Sequence, residues 1–144
     1  MAYNWLPALG MLRRLLREAL WAPAAIVAAS LLLGRLPARV DLWWLVHVAG
    51  GAALAFCYLR AIGIARPWLG ELRTAAKYLL AFALACTTAL AWEIGEFIVD
   101  QIAGTGLQQG NFDTMSDLIF GTAGAAAYLA GHALIQERNS DPGS

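Results

Sequence analysis

The chain has 144 residues, no formal net charge, 60% hydrophobic residues and only 14% charged ones. That length suits a single domain, and so large an apolar share does not suit a water-soluble core, which leaves an integral membrane protein. Lys and Arg are scattered and form no basic patch, which argues against nucleic acid as a partner.

In chain order, residues 4–17 place Leu6, Leu9, Leu12, Leu15 and Leu16 on one side of a helix and Arg13, Arg14 and Arg17 on the other. This is the pattern of a helix lying in the membrane interface. The arginines precede the first apolar run and no small-residue cleavage site follows, so the region reads as a retained anchor. A first span is expected over about 19–34, short for an average bilayer, with Pro23 in its first turn, where a missing N–H matters least. Gly34 and Pro37 mark a loop. A second span, about 42–59, opens with Trp43 and Trp44, placed as an interfacial aromatic belt would place them. Arg66, Pro67, Arg73 and Lys77 separate it from a third span, about 78–99. A turn rich in glycine (Gly104, Gly106, Gly110) leads to a fourth, about 114–135, and 136–144 is a polar tail. The expected fold is an all-α membrane protein of one domain over residues 1–144. It is a bundle of four transmembrane helices with an N-terminal amphipathic interfacial helix.

The basic residues orient the bundle. With the N-terminus cytoplasmic, Arg13, Arg14, Arg17, Arg60, Arg66, Arg73, Lys77 and Arg138 lie inside and only Arg35 and Arg39 outside. Both termini are therefore expected in the cytoplasm of a bacterial cell, in the inner membrane. Cys57 and Cys86 sit within apolar segments, far from any CxxC spacing, and read as small core residues. Gly51 with Ala55, Gly121 with Ala125, and Ala127 with Gly131 have the small-xxx-small spacing that lets helices approach closely in lipid.

The stretch Trp92–Gly124 holds Glu93, Glu96, Asp100, Asp113 and Asp117, half of the ten carboxylates in the chain, and no Lys or Arg. At about 100° per residue, Glu93, Glu96 and Asp100 share one helix stripe, and Asp113 and Asp117 share another. The glycine turn folds the stripes towards each other, and Asp41 and His47 head the second span at the same expected outer level. A carboxylate at mid-helix costs about 2.5–3.5 kcal/mol to insert, and several together also repel, so only protons or a bound cation keep them there. His47, Glu93, Glu96, Asp113 and Asp117 are the candidate metal ligands, with Asp41 and Asp100 as possible additions. Carboxylates with one imidazole suit Mg²⁺, Mn²⁺, Ca²⁺ or Fe²⁺ better than structural Zn²⁺, and no organic cofactor is implied. Glu93-x-x-Glu96 has the spacing of the di-metal carboxylate bundles but lacks their histidine, so one ion is the expectation. The bland readings stand beside these: Asp113 as a helix cap, Asp100 as a solvated interfacial acid, Asp41 as a cap, His47 as a core histidine, and Glu93 and Glu96 as partners of a nearby Trp, Thr or backbone group. His132 lies near the opposite face and reads as interfacial.

These residues resemble the VanZ-like membrane proteins and the YjdF-type family of small bacterial membrane proteins. The resemblance is carried by Asp41 and His47 at the head of one span, Trp92-Glu93-Ile94-Gly95-Glu96, the Gln109-Gly110 turn, and Asp113-Thr-Met-Ser-Asp117 followed by Gly121 and Gly124. It covers roughly 41–130. VanZ-like chains have the histidine nearer the aspartate and an Arg before the D-x-x-x-D region, and after that region they have an Asn, where this chain has Phe120 and Gly121. The resemblance implies a link to reduced sensitivity to a glycopeptide antibiotic that acts on the outer surface of the cytoplasmic membrane, which fits an outward site, and no defined reaction. The D-x-x-x-D pair is also found in CDP-alcohol phosphotransferases, but their preceding D-x-x-D-G-x-x-A-R is missing.

Three functions follow as expectations. One is a cation site at the outer leaflet that acts on or senses a membrane lipid or envelope component; as an enzyme it would be metal-assisted, because no Ser, Cys or His nucleophile constellation is visible. The second is proton or metal-ion transport. The third is a small accessory subunit of a larger membrane complex; the partners expected are membrane lipid and either a second copy in a homo-oligomer or a membrane-complex partner.

Overall fold

The computed structural model describes residues 6–35 and 42–140. Among these residues the chain is helical, with no strand: α1 (Leu6–Glu18), α2 (Trp21–Leu33), α3 (Trp43–Ile64), the single turn α4 (Arg66–Leu69), α5 (Thr74–Ala103) and α6 (Asn111–Ser140). Three helices, α3, α5 and α6, are long and apolar enough to cross a membrane; α1 and α2, bent by 46° at their junction, pass the same test only as a pair. These two pieces occupy the stretch read above as an interfacial helix and a first span.

The bend has a local cause. Pro23 has no N–H to give to Ala19, and just before it the Leu20 N–H reaches back five residues to the Leu15 carbonyl (3.1 Å). A missing donor and a widened turn at one place kink a helix. Glu18 then ties α1 to the C-terminal part of α3: it accepts from Arg14 at 3.1 Å and from Arg60 at 2.7 Å.

The other boundaries move outward. α5 and α6 are each 30 residues long against the shorter spans expected, so each rises about 45 Å and extends past a hydrocarbon core of about 30 Å. The site therefore sits on continuous helix rather than on a loop.

α3 is the centre, packing against α2, α5 and α6. Its closeness to α6 follows from glycine. A Cβ on Gly51 would collide with the Gly121 carbonyl, and one on Gly124 with the Val48 carbonyl, so these backbones touch directly. Gly51 and Gly121 were legible in the small-residue spacing; Gly131 was not such a contact, since a Cβ there meets nothing within 4 Å. Ala55, Ala81, Ala85, Ala125, Ile62 and Leu129 form the buried core, and Cys57 is buried too.

The distribution of apolar surface is inverted relative to a soluble bundle. Within six residues of α5, Glu93 is 4% exposed while Ile94 is 50% and Ile98 49% exposed. A helix in water would turn the acid out and the isoleucines in, so this stretch is built for a lipid surround.

Candidate cation site

The site gathers where the N-terminal parts of α3 and α6 and the C-terminal part of α5 converge. Helix period decides which side chains point inward. His47 is one turn before Gly51, so the direct backbone contact at Gly51 turns the imidazole towards α6. Glu93 and Glu96 are one turn apart on α5, and Asp113 and Asp117 one turn apart on α6.

His47, Glu93 and Asp117, one from each long helix, offer ligand atoms that all lie within 4.8 Å of one another. His47 Nε2 stands 3.3 Å from Asp117 Oδ1. Glu93 is buried yet has no hydrogen-bond or ion-pair partner among the described residues, and it lines a cavity of about 560 Å³ that His47 and Asp117 also line. Glu96, Asp113 and Asp117 are near enough to repel its charge. A carboxylate that opens only onto this cavity, among like charges, is costly unless a cation or a proton joins it.

Glu96 and Asp113 line the same cavity, each with one local partner. Trp92 Nε1 donates to Glu96 Oε1 at 2.8 Å, which leaves the second oxygen of that carboxylate for another role. The i,i+4 spacing of Trp92 and Glu96 already signals this pair. Asp113 lies in the first turn of α6, where a negative charge is favoured, and its Oδ2 accepts the Gln109 N–H at 3.0 Å. It therefore fastens the preceding loop from inside the first turn of α6, rather than standing ahead of that helix as a cap, and it lines the cavity at the same time.

Asp100 shares the stripe of Glu93 and Glu96 but is turned to the loop. Its carboxylate accepts from the Thr105 hydroxyl and from the N–H groups of Leu107 and Gln108, the latter two at 2.8 Å. α5 ends at Gly104, whose φ of 63° suits glycine, and Gly106 and Gly110 also have positive φ. The loop so formed lays Gly106, Leu107 and Gln109 against the acidic end of the cavity. Asp41 lies outside the described residues.

Residues that sequence reasoning did not place also belong here. Ser30 of α2 and Thr88 of α5 line the cavity, and Thr88 shares a 2.6 Å hydrogen bond with Tyr58. Towards the other end of the bundle, Tyr78 and His132 form a second polar pair at 2.6 Å, so His132 is held by a neighbouring helix. A hydroxyl in an apolar run carries no sequence signal of its own, and only helix packing reveals it.

Residues 13–138 match the family described as predicted membrane protein (DUF2238). The chain belongs to this family. The match takes in α2, α3, α5 and nearly all of α6, so every residue of the site falls within it. No match was found among curated proteins or among solved structures.

Proposed function

We propose that this member of the family is a four-span protein of the bacterial inner membrane whose His47, Glu93 and Asp117 hold one divalent cation. Glu96 and Asp113 stand beside that ion, on the outer side of the membrane, and the site acts on or senses a lipid or another envelope component. The observation that carries the reading is Glu93: a buried residue whose carboxylate has no hydrogen-bond or ion-pair partner among the described residues and lines a cavity, with an imidazole and a second carboxylate within 4.8 Å. The donor set of two carboxylates and one imidazole favours Mg²⁺, Mn²⁺, Ca²⁺ or Fe²⁺ over Zn²⁺. The excess of basic residues on the inner side supports the outward orientation. The likeness of the D-x-x-x-D and W-E-x-x-E segments to VanZ-like and YjdF-type chains supports an envelope setting. An ion here would polarise a phosphoryl or carbonyl oxygen or activate water, with Glu96 as the carboxylate available to move a proton.

The test is metal content. Protein purified without chelator should carry close to one equivalent of metal by inductively coupled plasma mass spectrometry, and Glu93→Gln and Asp117→Asn should each lose most of it. Equal metal in all three proteins sinks the ligand assignment.

A second reading, proton or metal-ion transport, is favoured by the Tyr58–Thr88 pair, which continues the polar lining inward. Against it, Ala81 and Ala85 lie on α5 between Thr88 and Tyr78, and both are buried in the apolar core. Ion uptake into sealed vesicles by the wild type, lost in Glu93→Gln, is the result that would favour transport.

A further inference from the structure

We propose that the cavity binds a lipid whose headgroup carries both a phosphate and a primary ammonium, and that the lipid enters sideways between α2 and α5. This rests on the cation reading above and names the ligand class of that site.

The opening follows from the packing. α2 packs on α1 and α3, but among the described residues it comes nowhere within 8 Å, Cα to Cα, of α5 or α6. Side chains of both α2 and α5 nevertheless line the cavity, over a floor made by α3. The gap between α2 and α5 is thus a lateral slot, and in a bilayer its neighbour is an acyl chain. The acidic end is covered instead by the loop that Asp100 fastens.

The lining changes along the slot. Pro23, Ile26, Val27 and Leu54 make an apolar end, and His47, Glu93 and Asp117 lie at the other. Seven residues of α3 separate His47 from Leu54, a rise of about 10 Å, which matches a headgroup followed by the first part of a chain. A volume of about 560 Å³ suits one small ligand rather than a water-filled pore.

Charge selects the headgroup. Among the described residues Glu93, Glu96, Asp113 and Asp117 line the cavity and no Lys or Arg does. One divalent ion offsets two of those charges, and what remains calls for a positive group from the ligand. A phosphate oxygen completes the coordination of the ion, and a primary ammonium, with three N–H donors, meets Glu96 and Asp113. An anionic headgroup without an amine adds charge of the wrong sign, and a quaternary ammonium has no N–H to give.

The full chain in detergent, metal-loaded, is offered phosphatidylethanolamine, phosphatidylglycerol or phosphatidylcholine, and retained lipid is read by native mass spectrometry. Phosphatidylethanolamine should be retained about tenfold over the other two, as charge-assisted hydrogen bonds would give. Glu96→Gln should shrink that preference while metal content holds. Ile26→Trp and Val27→Trp fill the slot and should lower retention of the lipid several-fold with metal content unchanged; helix content by circular dichroism identifies a variant that has not folded, and the other then decides. Equal retention of the three lipids overturns the headgroup assignment, and full retention in a folded Trp variant overturns the lateral slot. Wild type without metal sinks the cation reading, and with it the phosphate contact, by a measurement that does not involve lipid.

Discussion

Glu93 is buried at a cost that the rest of the bundle must offset. Isolated and ionised, a carboxylate in that position would be expelled or neutralised, and the nearby carboxylates make both tendencies stronger. Removing its charge should therefore relieve the apo protein. We expect Glu93→Gln to raise the melting temperature in the presence of chelator and to abolish the stabilisation that added Mn²⁺ gives the wild type, both read by a thermal-shift assay. A melting temperature for Glu93→Gln below that of chelated wild type would show that the carboxylate is satisfied by the protein alone. Asp100 is a different kind of acid. It holds Thr105, Leu107 and Gln108 in place, so Asp100→Asn should speed amide exchange at Leu107 and Gln108 by about tenfold or more while metal content is kept. Unchanged exchange at both amides would remove it as the fastener of the loop. Both residues lie on one helix stripe, and their roles differ because α5 stops at Gly104: one acid is inside the bundle and the other is beside a turn.

At the scale of elements, the decisive contact is α3 on α6. Direct backbone contact at Gly51–Gly121 and at Gly124–Val48 sets the rotation of both helices about their axes and so aims His47 at Asp117. Adding one methyl at Gly124 should cost about 1–3 kcal/mol of stability and weaken metal binding, because the helices must part. Gly131→Ala, where a Cβ meets open space, should stay within about 0.5 kcal/mol of wild type. Unfolding in mixed micelles measures both, and equal effects at the two positions would refute the close-contact argument. The Pro23 bend works at the same scale: it directs α2 along α3, apart from α5, and so leaves the slot open.

For the whole molecule, the test is orientation. With Cys57 and Cys86 replaced by serine, single cysteines at Gln101 and Ser140 should be labelled by an impermeant maleimide from opposite sides of the membrane. Gln101 should react from outside and Ser140 only after the cells are opened. The reverse pattern would place the site on the cytoplasmic side, where a different lipid population meets it.

Much of this protein is legible in its residues. Long apolar runs ended by basic loops can only be satisfied as helices across lipid, because backbone groups have no other partner there, so the helical membrane fold and its spans follow from composition and order. The same logic brings five carboxylates and a histidine to one level, since a helix converts sequence position into depth. Depth is not direction. Which of those groups face one another depends on how each helix is rotated against its neighbours, and that is set by glycine contacts between residues far apart in the chain. Tertiary structure alone therefore decided that His47, Glu93 and Asp117 meet, that Asp100 serves a loop, and that α2 stands off from α5.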